Sequence, residues 1–193
     1  MPMHLSVAKQ DTIQFIGQTQ VSPLVTKGVA KVLYVGQNRN GTSISEELAI
    51  EMGRKLPGSP VVGYYRDDLK DFEEHSRKIE ITNDKFEILD LTKPYGFVPT
   101  DSKIWLQDFI DEGVNHKYLC CEVYIWTSAY PESKRIFEKG NNQSMELDDQ
   151  TLKGVWTNSA NNQGRIFIIN EALIEKLCIL GEDFEPCFEG ASI

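Results

Sequence analysis

The stretch KYLCCEVYIW, residues 117–126, decides the fold class. Its β-branched and aromatic residues make it the strongest strand in the chain. Residues on a strand alternate between faces, so adjacent Cys120 and Cys121 point to opposite sides of it. Working outward, GVAKVLYVG (28–36), PVVGYY (60–65), FEILDL (86–91), QSMELD (143–148), RIFIIN (165–170) and KLCIL (176–180) read as further strands. PYGFVP (94–99) reads as a turn and an extended piece. SKIWLQDFIDEGV (102–114) fits either a short helix or a strand and turn. Two helices interrupt the series. Ser43 and Glu46 have the spacing of a capping box at the start of SEELAIEMGRKL, and Pro57 and Gly58 stop the helix. PESKRIFEKG opens with Pro131 and closes with a glycine, as helices often do. About seven strands and two or three short helices, in no repeating β-α-β order, predict an α+β or mostly β fold. A closed or nearly closed sheet with helices outside is expected.

The chain has 193 residues, 40% hydrophobic and 25% charged, enough for one domain with its own core. Residues 1–27 are polar and mixed and read as an N-terminal arm, with a single domain over 28–193. There are no internal repeats. The formal net charge of −9 repels phosphate backbones, which argues against nucleic acid as a partner. No apolar run has the length of a membrane span, and no signal-peptide pattern opens the chain. The expected location is a cytoplasm, with no membrane partner.

Four cysteines, Cys120, Cys121, Cys178 and Cys187, form no CxxC pair, and no histidine stands at ligand spacing from them. They read as buried thiols of a reducing compartment, and no metal or cofactor is expected. Phosphate-cradling glycine motifs and HExxH are absent. The acidic clusters DDLKDFEE and EDFE lack EF-hand spacing and read as solvated surface. Trp105, Trp126, Trp156 and Tyr124 stand in apolar contexts and read as core.

One constellation carries chemistry. In the strand QSMEL, Ser144 and Glu146 share one face while Met145 and Leu147 face the core. The Ser144 hydroxyl then lies on an accessible side beside a carboxylate. Serine is a weak nucleophile unless a base takes its proton, and histidine titrates near working pH. Of the three histidines, His75 in FEEHSRK follows a core strand, His116 reads as a turn residue and His4 lies in the arm. A third, acidic member would orient the imidazole. Glu175, Glu171, Asp148 and Glu146 are candidates, and spacing does not choose among them. A cysteine hydrolase on Cys120 or Cys121 is disfavoured, because a mid-strand thiolate in an apolar run is poorly stabilised.

The order of segments resembles the prohead maturation proteases of tailed bacteriophages, fold relatives of herpesvirus assemblin. The resemblance covers roughly residues 28–192. NRNG (38–41) looks like a turn near the start of such proteases. PVVGYYRDDLKDFEEH ends on a histidine where the family has its catalytic one, and PYGFV looks like the following strand. KYLCCEVYIWTSAYP resembles the strand leading into a helix, and GNNQSMELD matches the place of the nucleophile. KLCILGEDFEPCFEGA resembles the last strand and its proline-containing tail. The order carries more than any one motif. It implies an assemblin-like antiparallel β-barrel with surrounding helices, Ser144 as nucleophile and His75 as general base. Glu175 is the implied third member, and a one-residue slip would put Lys176 there instead. The implied activity is a serine endopeptidase acting on scaffolding protein and major capsid protein inside the assembling prohead, in a homo-oligomer. The rival reading is a non-enzymatic capsid-assembly or scaffold-associated protein of the same fold. A scaffolding segment often fused downstream in that family does not follow FEGASI.

Overall fold

The computed structural model describes residues 19–193, except 76, 83–84, 112 and 159–163. Most of the N-terminal arm therefore lies outside the described residues. Its last part is tied down: β1 (Thr19–Gln20) pairs antiparallel with the start of β2 (Thr26–Tyr34). Two short strands follow, β3 (Gly36–Gln37) and β4 (Thr42–Ile44), and then helix α1 (Glu46–Arg54). The chain continues through β5 (Pro60–Gly63), β6 (Tyr65–Arg66), β7 (Asp71–Phe72), β8 (Arg77–Thr82), β9 (Lys85–Asp90) and β10 (Lys93–Phe97). A hairpin of β11 (Ile104–Asp111) and β12 (Val114–Ile125) comes next. A 3-10 turn (Pro131–Ser133) runs into α2 (Lys134–Lys139). The last strands are β13 (Asn142–Leu147), β14 (Lys153–Asn158), β15 (Arg165–Glu171) and β16 (Ile174–Leu180).

The described residues are mostly β, with two short α-helices. β12 is the spine of the main sheet, ordered β1-β2-β12-β10-β5-β16-β13, with β11 also on β12. Tyr118 to Cys121 are all buried, so β12 is covered on both faces over that stretch. One cover is α1: a side chain on Gly53 would strike Leu119 and Ile104, so glycine lets the helix lie close on the sheet. Ser45 caps α1, its side chain accepting from the Leu48 N–H at 3.2 Å. The capping box expected at Ser43 is thus displaced by two residues, because Ser43 is consumed in β4, pairing with Gln37 and Ile168. Gly140 ends α2 at φ 70°, a left-handed conformation that favours glycine, and delivers the chain into β13.

The undecided segment 102–114 takes the strand-and-turn alternative, because β11 pairs with β12 over eight residues. Several other expectations need correction. KGVWTN, read as no element, is β14; it pairs with β15 in a second sheet, β14-β15-β4-β3. Trp156 on that edge strand is 59% exposed, and Trp105, Trp126 and Tyr124 are only half-buried, Trp105 among them packing against the core. The sheets are not purely antiparallel: β16 runs parallel to β5, and β15 parallel to β4. Strand pairing leaves the main sheet an open path rather than a closed barrel. The irregular tail, however, is buried at Phe188, Ala191, Ser192 and Ile193. Ser192 bridges both Lys31 on β2 and Asn142 on β13. The Gln143 side-chain amide adds bonds to the carbonyls of Lys31 and Val32 at 3.0 and 2.7 Å. None of the described helices is long and apolar enough to cross a membrane.

Candidate functional site

β13 carries the centre of the site because both its edges are occupied. On one side it pairs with β16, setting Ser144 opposite Cys178 and Glu146 opposite Lys176. On the other, the backbone of Asn141 and Gln143 bonds to Ile193 and Ala191. Alternation along β13 buries Met145 in the core. Ser144, Glu146, Lys176 and Cys178 share the opposite face, since cross-strand partners point the same way.

His75, in the turn after β7, leans onto this face. Its Nδ1 lies 2.8 Å from Glu146 Oε1. The other Glu146 oxygen is 3.4 Å from Lys176 Nζ, and Lys176 also binds Asp90 at the end of β9. Burial pushes the Glu146 carboxyl up, but the His75 hydrogen bond, with the charges of His75 and Lys176, holds it below the usual carboxylate range. Burial likewise favours loss of the Lys176 proton, and Asp90 and Glu146 outweigh it, so the ammonium is held. Asp90, despite partial burial, is drawn down to about 2 by Lys176 and by Thr92. Glu146 is therefore an ionised, two-sided holder, gripping an imidazole with one oxygen and an ammonium with the other.

Ser144 is not on an accessible side, as its strand position predicted. It is 7% exposed, and its Oγ lies 3.9 Å from the Cys187 thiol. Among the described residues no hydrogen bond joins Ser144 to His75. The cover is the segment after β16. Arg39, in the turn between β3 and β4, donates its backbone N–H to the Cys187 carbonyl at 3.2 Å. Its guanidinium pairs with Glu185 and, at 3.3 Å, with Glu189. Glu189 also accepts from the Tyr34 hydroxyl.

The remaining candidates are placed as follows. Glu175 is exposed, in a bulge where the β13–β16 register slips between Glu146 and Leu147. The carboxylate on His75 is Glu146, one of the alternatives that spacing left open. The place that a one-residue slip would assign to the third member holds Lys176, which binds that carboxylate. Glu171 pairs with Lys153 at 2.7 Å, and Asp148 receives the backbone N–H of Thr151. His116 stacks on Tyr34 at 4.1 Å between ring centres, away from β13. His4 lies outside the described residues. Cys120, Cys121 and Cys178 are fully buried, and burial pushes the Cys120 and Cys178 thiols up to about 12. No histidine stands at ligand spacing from a cysteine along the sequence, yet the fold brings His75 near Cys178. One ligand atom each from His75, Glu146 and Cys178 lies within 4.8 Å of the others. Sequence spacing could not reveal it, because the three residues come from a turn and two different strands.

Among known proteins, the chain matches the family model of the YonD N-terminal domain over residues 24–193. No curated protein and no solved structure matches it. The family takes its name from a Bacillus prophage gene, which points to a phage-related protein. The match covers nearly all of the described residues, and the chain belongs to the YonD N-terminal domain family.

Proposed function

We propose that the chain is a serine endopeptidase of phage prohead maturation, with Ser144 as nucleophile, His75 as general base and Glu146 as the orienting acid. The observation that carries this reading is the 2.8 Å contact between His75 Nδ1 and Glu146, on the strand face that also bears Ser144. A carboxylate on Nδ1 fixes the tautomer and leaves Nε2 as the proton acceptor. His75 takes the Ser144 proton as the hydroxyl attacks a peptide carbonyl, and the amine leaves with that proton. Water, activated by the same imidazole, then releases the acyl group. In this reading Glu146 takes the role that the resemblance gave to Glu175. The Ser192 bridges to β2 and β13 fit the nearly closed sheet that an assemblin-like fold requires. Substrates are the scaffolding protein and the major capsid protein, cut inside the assembling shell by a homo-oligomer.

The covered Ser144 and its lack of a hydrogen bond to His75 favour the second reading, a non-enzymatic capsid-assembly protein. In the first reading they describe a resting form that must shed Cys187 before it can act. Apo sites often show such loose geometry. Co-expression of the chain with its scaffolding protein separates the two. Fragments identified by mass spectrometry that vanish in Ser144→Ala and in His75→Ala support the peptidase. Fragments that persist in Ser144→Ala remove that residue from the mechanism, and intact scaffold in assembled proheads favours the assembly role.

A further inference from the structure

We propose that His75, Glu146 and Cys178 form a binding site for one zinc-type divalent ion. The three donor atoms, an imidazole nitrogen, a carboxylate oxygen and a thiol sulfur, already lie within 4.8 Å of one another. Tetrahedral zinc with bonds of about 2.0–2.3 Å needs donor-to-donor separations of roughly 3.3–3.8 Å, so the 2.8 Å contact of His75 with Glu146 opens slightly and Cys178 closes in by up to about 1 Å to complete three corners. The mixture selects the ion. Sulfur and nitrogen donors suit zinc or cobalt and disfavour magnesium and calcium, which take oxygen.

The surroundings fit as well. Glu146 and Cys178 stand on paired strands, so the spacing of two of the three ligands is fixed by the sheet. Lys176 grips the Glu146 oxygen that His75 does not use, and Asp90 grips Lys176. That chain orients the carboxylate from behind, as outer partners do in metal sites. Among the described side chains, two ligand charges and Asp90 balance Lys176 and a doubly charged ion. Cys178 is buried and His75 half-buried, so the ion enters from the His75 side and leaves a fourth corner for water. A bound ion withdraws His75 from proton transfer and so switches the site off. This inhibition rests on the peptidase reading; the binding does not.

The test uses the full chain, reduced, titrated with Co2+ as a spectroscopic probe. The expected result is one cobalt per chain, with a thiolate-to-cobalt charge-transfer band and the strong visible bands of tetrahedral cobalt, both bleached by Zn2+. Cys178→Ser should abolish the charge-transfer band although Cys120, Cys121 and Cys187 remain. His75→Asn and Glu146→Gln should weaken binding by about tenfold or more. Ser144→Ala should keep the spectrum. No thiolate band in the wild type, or the same band in Cys178→Ser, overturns the site. Should Cys178→Ser fail to fold, unchanged affinity in His75→Asn, a change at a half-exposed residue, overturns it equally. Should Ser144 prove unreactive while the band persists, only the inhibition falls.

Discussion

Replacing Glu146 by glutamine tests the centre of the site with almost no change in shape. The side chain is 11% exposed and Lys176 is 12% exposed, so their contact is largely shielded from water. Glutamine loses the charge that faces His75 at 2.8 Å and Lys176 at 3.4 Å. A hydrogen bond to a charged group contributes about 1.5–3 kcal/mol, and removing one partner of a buried pair costs about 3–5 kcal/mol. Lys176 keeps Asp90 and His75 is partly solvated, so the lower end applies: about 2–3 kcal/mol. For a domain of this size that lowers Tm by roughly 4–12 °C. The pH dependence has a fixed sign. The folded Glu146 carboxyl sits below its ordinary value of 4.5, so its stabilisation is fully present above pH 4.5 and is lost as pH falls through the folded value. The gap between wild type and Glu146→Gln in urea unfolding should therefore be full at neutral pH and close in acid. A gap below about 0.5 kcal/mol at neutral pH would refute the reasoning, as would one that stays constant into acid. If the peptidase reading holds, the same variant loses about 10²–10⁴ in kcat/KM with KM little changed, because the imidazole loses its orienting partner.

Two further expectations follow from the same geometry. Arg39→Ala removes the guanidinium from Glu185 and Glu189, which hold the segment over Ser144, so alkylation of Cys187 by iodoacetamide should speed up at least severalfold in peptide mass spectrometry while the fully buried Cys120 and Cys121 stay protected. Unchanged Cys187 reactivity would mean that Arg39 is no latch. Gly96→Ala places a methyl 2.1 Å from the Tyr124 carbonyl oxygen, backbone that cannot step aside; β10 must shift off β12, and thermal melts should show a loss of at least about 1–3 kcal/mol.

Periodicity and punctuation made most elements legible. β12, β2, β15 and β16 announced themselves by β-branched and aromatic runs, β13 by its alternation, and the second helix by Pro131 and Gly140, because these signals act within a few residues. Alternation on β13 also put Ser144 and Glu146 on one face and Met145 on the other, since that needs nothing but the pleat. The start of α1 was misread at Ser43 because two serines offer the same cap, and only strand pairing by Ser43 leaves Ser45 free for it. KGVWTN was missed because an exposed edge strand has no buried face to mark its period. What only the tertiary structure decided are the long-range choices. It picked Glu146 over Glu175 for His75, because a bulge in the β13–β16 pairing turns Glu175 out to solvent. It buried Ser144 under Cys187, because the tail finds its bonds on β2 and β13. It brought Cys178 to His75, because β16 lies beside β13. Each depends on which strands become neighbours and in what register, and that is settled by burying the whole core at once rather than by any local run of residues.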